Sequence, residues 1–372
     1  MAGEPSLGEA GFANGGDDNS GGEPYVWDLP TGFPLPFEPL GNPTTVEKVE
    51  LGRHLFYDQR LSDNNTTSCA TCHQQELAFT DGRTVSLGST GESHPRNSMT
   101  LTNVAYASTL TWANPLFRTL ERQAIVPMFG EEPIELGITD TRDIEAELRE
   151  DPLYLALFQA AYPNAETLGT LEQMTLALGS FQRTLISSNS PFDRWIRGDD
   201  PKALSDEALE GYRLFNSEKL ECFHCHVGFN LSDHVHWKDK AFFDAPYHNT
   251  GLYNVDGKGA YPEPNTGVLS VTGEPSDMGR FKAPTLRNIG ITAPYMHDGS
   301  IERLDGVLDH YAAAGRTIAQ GPYAGDGSKN PFKDVLVIGF ELTSAERAAV
   351  LAFLASLTDE TFLEDPRFSN PW

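Results

Sequence analysis

The chain is short of cysteine, of positive charge and of long apolar runs, and each shortage excludes a class of protein. Four cysteines in 372 residues cannot build a disulfide-dense scaffold. Lys and Arg number 27 against 53 Asp and Glu, a formal net charge of −26. Such a surface repels nucleic acid and anionic membranes and steers basic partners towards it. No apolar run approaches the ~20 residues of a membrane helix, so no membrane span is expected. Strand-like alternation is scarce, which argues against an extensive sheet. The N-terminus is rich in Gly, Asp, Asn and Ser and lacks the basic and apolar regions of a signal peptide. Residues 1–24 therefore read as a flexible leader.

The few cysteines are all committed to one pattern. They sit in Cys69-Ala-Thr-Cys72-His73 and Cys222-Phe-His-Cys225-His226, with none left for a disulfide. In each Cys-x-x-Cys-His, two thiols add to the vinyl groups of one haem and the adjacent His becomes an axial iron ligand. A zinc pair does not need His directly after the second Cys, and a thioredoxin-like redox pair does not need duplication. Two covalently attached c-type haems are the expectation. Covalent haem attachment implies maturation outside the cytoplasm and places the protein in a bacterial periplasm.

The surroundings of the two motifs repeat. Gly52-Arg-His-Leu55-Phe56 precedes the first and Gly211-Tyr-Arg-Leu214-Phe215 the second, both reading as amphipathic helices that lead into the attachment site. Thr170-Leu-Glu-Gln173 looks like a capping box, followed by Leu171, Met174, Leu178, Phe181 and Leu185 on one face. Thr343-Ser-Ala-Glu346 opens another helix, with Val350, Leu351, Leu354 and Leu357. The 34 Gly and 25 Pro gather in long connections, and residues 191–201 read as a linker. The predicted fold is all-α: two cytochrome c-like haem domains with long loops, related by a pseudo-twofold repeat, over residues 25–200 and 201–372.

Several blocks, in order, resemble one family from about Val46 to Leu357. They are Leu51-Gly-Arg-His-Leu-Phe-Tyr-Asp-Gln-Arg-Leu-Ser62, Arg96-Asn97-Ser-Met-Thr-Leu-Thr-Asn103, Glu121-Arg-Gln123-Ala-Ile-Val-Pro127 and Pro133-Ile-Glu135-Leu-Gly137. A longer block, from Phe281 to Gly299, carries Arg287, Thr292, Pro294 and His297. The sequence resembles the di-haem cytochrome c peroxidases and their relative MauG. The resemblance implies that the N-terminal haem, held by His73 and open on its other side, binds hydrogen peroxide. Glu135 then stands above the open face, where a carboxylate can take a proton from one peroxide oxygen and return it to the other. Gln123 and Pro127 match positions lining that pocket. Trp112 matches the tryptophan that relays electrons between the haems, with one inserted residue in the local match. Asn97, Thr292 and Pro294 match residues that hold a calcium ion between the domains, and oxygen ligands suit such a hard cation.

The second haem takes His226, and its other ligand separates the subtypes. Family peroxidases place a Met seventeen residues after the Pro matched by Pro294; here the count reaches Tyr311, as in MauG, with His310 as a rival. A phenol oxygen is hard and favours Fe(III) and higher states, whereas a thioether favours Fe(II). Two departures complete the comparison. The capping His of conventional peroxidases, eight residues before the Asn97 position, is Ser89, with His94 nearby but out of register. The MauG tryptophan that passes oxidising equivalents outwards is Leu220 here, leaving Trp195 or Trp237 as candidates. His234-Val-His236 with His248 suggests copper, although scattered surface histidines are commoner.

The resemblance therefore implies a periplasmic enzyme that reaches a high-valent, bis-ferryl-like state with peroxide and oxidises a residue of a partner protein at long range. The sequence looks closest to the MbnH group, whose members convert a partner's tryptophan to kynurenine. Two alternatives stay open: a peroxide-clearing peroxidase fed by a small cytochrome c or cupredoxin, and a non-enzymatic di-haem electron carrier.

Overall fold

Helices begin where the chain supplies an oxygen to cap them. Thr170 and Gln173 form a reciprocal capping box, as do Thr343 and Glu346, so both boxes read from the sequence open helices. The computed structural model describes residues 21–372, and most of the expected leader lies outside the described residues.

The helices of the first half are α1 (Val46–Tyr57), α2 (Cys69–Cys72), α3 (Leu120–Phe129), α4 (Thr141–Glu150), α5 (Pro152–Ala161) and α6 (Leu171–Arg183). Then follow α7 (Pro191–Ile196), α8 (Asp206–Phe215), α9 (Leu269–Thr272), α10 (Leu304–Ala312), α11 (Ser344–Ala355) and α12 (Glu360–Leu363). Two antiparallel ribbons join β1 (Tyr247–His248) to β2 (Phe281–Lys282) and β3 (Thr317–Ile318) to β4 (Gly325–Asp326). The fold is helical with few strands. The expectation of a strictly all-α chain misses these ribbons, which pair backbone groups of the long connections that would otherwise lack partners.

Two helix pairs form the framework. Helix α1 packs on α6, and α8 packs on α11. Both pairs touch through a glycine. A Cβ at Gly52 would lie 2.0 Å from the Ala177 carbonyl oxygen and 2.8 Å from Phe181 Cβ. At Gly211 the same atom would lie 1.9 Å from the Ala349 oxygen and 2.8 Å from Phe353 Cβ. Phe181 and Phe353 are fully buried, in separate cores. Leu185 and Leu357 are buried too, but each lies just past the end of its helix. Helix α3 is bound to α6 by a buried pair between Glu121 and Arg183.

The 191–201 stretch differs from the expected linker. Ser190 caps α7 and Pro191 occupies its first turn, and Phe192 and Asp193 are buried. Although burial alone would raise it, the Arg287 guanidinium holds the Asp193 carboxyl below the usual carboxylate range. The pair is bidentate, at 2.8 and 2.9 Å. From the far end of the chain, Phe362 and Phe368 join the core built on α1 and α6.

Removing one member of a buried pair strands the other. Asp193→Ala is expected to destabilise the holoprotein by about 3–5 kcal/mol in denaturant unfolding; a change below about 1 kcal/mol would show that Arg287 finds other partners.

Candidate functional site

Each Cys-x-x-Cys-His motif begins on a tight turn, α2 for the first and a 3₁₀ turn over Cys222–His224 for the second. The histidines that follow are oriented alike. His73 Nδ1 donates to the Phe79 carbonyl at 2.8 Å, and His226 Nδ1 to the Leu231 carbonyl at 3.2 Å. The proton on Nδ1 leaves Nε2 as the lone-pair nitrogen, the one that iron binds. Burial lowers the pKa of both rings and keeps them neutral. None of the four cysteines is in a disulfide. Thiols spaced for two vinyl groups beside a neutral, oriented imidazole fit a covalently bound haem at each motif.

A cavity of about 260 Å³ lies against the second motif. Cys222, Cys225, His226 and Tyr311 line it, and His310 does not. Burial pushes the Tyr311 hydroxyl above its ordinary range, while His310 is buried and lowered to about 4, chiefly by that burial. The same cavity is lined by Trp112, Asn97, Thr292 and Pro294. Trp112 is fixed by its indole N–H, which donates to the Asn97 carbonyl at 2.9 Å. The Asn97 amide nitrogen in turn donates to the His297 carbonyl at 2.9 Å, linking residues far apart in the chain.

The other expected residues gather on the first half. Pro127 lies inside α3, where it cannot donate to the Gln123 carbonyl one turn back. The Pro127 carbonyl accepts from the Leu136 amide at 2.8 Å, and the Met128 carbonyl from Ile138 at 2.8 Å. These bonds bolt the turn bearing Glu135 onto the end of α3. Glu135 is recessed, its side chain 36% exposed, and burial pushes its carboxyl up to about 7. Ser89 is spent on the same turn: its amide donates to the Glu135 carbonyl at 2.7 Å and its hydroxyl to the Leu136 carbonyl at 3.2 Å.

Other residues near the site have partners that the sequence did not announce. His94, five positions after Ser89, places Nε2 3.6 Å from Glu135 Oε1. Lys282 is buried beside the cavity, its Nζ donating to the Thr109 carbonyl at 2.8 Å, and burial lowers it to about 7. His297 is buried and stacked on Phe281 at 3.6 Å. The three histidines considered for copper do not converge. His234 is buried against Thr109 and the Pro246 carbonyl. His248 sits between Asp233 at 2.7 Å and Asp334 at 2.8 Å. Burial would lower it, but these carboxylates raise it to about 12. Leu220 is buried on the cavity wall. Trp195 packs on Tyr212 at 5.3 Å and Trp237 on Phe229 at 6.0 Å.

The profile of the di-haem cytochrome c peroxidase family matches residues 46–201. The chain is 35% identical to the methylamine utilization protein MauG of Methylophilus methylotrophus, over 86% of this chain and 84% of the relative. The chain belongs to the di-haem cytochrome c peroxidase family. Within it, the chain stands on the MauG-like branch. The crystal structure of a MauG-like protein associated with microbial copper homeostasis superposes with a TM-score of 0.92 and 48% identity, covering 94% of this chain and 99% of that one. The di-haem peroxidase BthA of Burkholderia thailandensis shares the fold at 18% identity and a TM-score of 0.67, over 91% of this chain and 99% of its own. This di-haem peroxidase is an oxidoreductase that carries two c-type haems, and the family acts on peroxide. Among the described residues, no helix is long and apolar enough to cross a membrane.

The denatured chain is expected to retain two haems by mass spectrometry and haem staining, and the Cys222→Ala/Cys225→Ala variant only one. A variant that still held two would break the assignment of the second motif.

Proposed function

We propose that this protein uses hydrogen peroxide to oxidise a side chain of a partner protein at long range, tryptophan to kynurenine in its specific form. Its site of action is the periplasm, where c-type haems are attached. The observation that carries the reading is Tyr311 on the wall of the cavity that also holds Cys222, Cys225, His226 and Trp112. A methionine there would favour Fe(II) and suit a store for a donor's electrons; a phenol oxygen favours the oxidised iron. The 48% identity with a MauG-like protein of copper homeostasis supports the same branch of activity.

When bound, the two haems reduce peroxide and hold the oxidising equivalents. His73 Nε2 would hold the iron of the first haem; His226 Nε2 and the Tyr311 oxygen would hold that of the second. Glu135 would serve the peroxide site of the first haem. Its carboxylate takes the proton from one peroxide oxygen and delivers it to the other, which leaves as water. Gln123 and Pro127 shape this pocket, the Pro127 carbonyl holding the turn that carries Glu135. Trp112, anchored on the Asn97 carbonyl, passes electrons between the two sites. Asn97, Thr292 and Pro294 offer neutral oxygens to a calcium ion at the junction. Residues 25–200 and 201–372 act as two haem domains related by a pseudo-twofold repeat, which the matching approaches at Gly52 and Gly211 support. Ser89, tied into the Glu135 turn, supplies no imidazole to cap the first haem.

Glu135→Gln is expected to keep both haems and slow the peroxide reaction by ~10²–10⁴; unchanged stopped-flow kinetics would remove Glu135 from the role. A base must be ionised to accept a proton, so the wild-type rate falls as pH drops below about 7, and the variant loses that limb. Tyr311→Met is expected to raise the potential of the second haem in a redox titration. An unmoved potential would mean that Tyr311 is not the ligand.

A further inference from the structure

The proposed base does not stand alone. His94 reaches its carboxylate from a separate loop, and three features make the approach a built one. The first is the ring's orientation. The Arg96 amide donates to His94 Nδ1 at 3.1 Å. Nδ1 lies equally close, 3.1 Å, to the Arg96 carbonyl; in the tautomer in which it accepts from the Arg96 amide, the ring proton resides on Nε2, the nitrogen 3.6 Å from Glu135 Oε1. Burial lowers the pKa of His94 and keeps that neutral form.

The second feature is the joining of the two backbones. Besides the Ser89 bonds, the Ile134 amide donates to Glu92 Oε2 at 3.0 Å. Gly88 packs so closely that a Cβ there would lie 1.7 Å from the Ile134 carbonyl oxygen. The histidine loop and the glutamate turn hence move together. The third is the anchoring of the loop at both ends. The His94 amide donates to the Ser86 carbonyl at 2.8 Å, and Ser86 Oγ donates to Asp81 at 2.8 Å, near Cys72. Arg96 Nε donates to Asn265 at 3.1 Å on the opposite half.

We propose that His94 is a positioning residue for Glu135: its Nε2–H donates to the Glu135 carboxylate and holds it, ionised, towards the peroxide site. The inference rests on the reading of Glu135 as the proton acceptor. The present 3.6 Å is just beyond a hydrogen bond, and a shift of about half an ångström in either side chain makes one. A donor to the carboxylate stabilises its ionised form and opposes the burial that raises it. Burial alone raises the Glu135 carboxyl. The ionisable groups nearest it are Glu131 and Glu132, exposed on its own turn, Glu92 on the histidine loop and Asp63 against Gly137, while the sulfurs of Cys69 and Cys72 carry no titrating proton once haem is attached.

The test uses the di-haem holoprotein. Infrared difference spectra follow the Glu135 carboxyl band against pH, with Glu135→Gln identifying it. His94→Phe is expected to raise the midpoint of that band by about one pH unit and to slow the peroxide reaction about fivefold at pH 7. His94→Gln, whose amide can donate from a similar reach, is expected to keep both near wild type. An unmoved midpoint in His94→Phe would overturn the proposal. So would conversion of a low-spin ferric signal to high-spin in that variant, since it would make His94 an iron ligand. The two readings fail separately. Unchanged peroxide kinetics in Glu135→Gln defeats the general base, whereas the infrared midpoint still reports on the His94 contact.

Discussion

Arg287 and Asp193, each almost wholly withdrawn from solvent, form the centre of a buried polar seam on which the relative placement of the two haem motifs depends. Arg287 also donates to the Phe229 and Ser187 carbonyls. Asn103 exchanges bonds with Ser187 and reaches Asn230 at 3.0 Å. Asn288 donates to Thr102 and Ser187, and its own carbonyl accepts from the Asp359 amide. Asp359 in turn receives the amides of Ser188 and Asn189. Five distant stretches of chain thus share one network. Because an unpaired buried charge or amide is costly, the network has few alternative arrangements.

Both haem motifs hang from this seam. Thr102 and Thr100 are coupled, and Thr100 Oγ1 donates to the Ala78 carbonyl, next to the Phe79 carbonyl that orients His73. On the other side, Asn230 precedes Leu231, whose carbonyl orients His226. The halves then diverge in what surrounds the iron site. The first offers a recessed glutamate on a turn bolted to α3; the second offers Tyr311, on a cavity wall that it shares with Trp112 of the first half. In the proposed function, that difference gives proton work to one half and storage of oxidising equivalents to the other.

What was legible in the sequence is what short spacing encodes. The haem motifs need only five residues each, and the capping boxes only four, so composition at fixed offsets announces them. The helices that carry Gly52 and Gly211 were legible for the same reason. The seam was not, because Arg287 and Asp193 carry no mark of each other at such a separation. Residues 191–201 looked like a linker on their Pro, Asp and Gly content, yet the burial of Asp193 is a tertiary event. His94 was out of register in a linear comparison, and only the folding of its loop onto the Glu135 turn brings the two together. Lys282, a buried lysine with a carbonyl partner, was equally silent, and His248, which had suggested copper, is an imidazole held by two carboxylates.

The central claim is that the protein reacts with peroxide from its fully oxidised state and uses both haem sites together. Its most direct test is to add hydrogen peroxide to the diferric holoprotein, with no reductant present, and to follow both ferric signals by EPR. The account predicts that both signals disappear together without prior reduction. A protein that reacts only after one haem has been reduced would contradict it and would return Tyr311 and Ser89 to the chemistry of a conventional peroxidase.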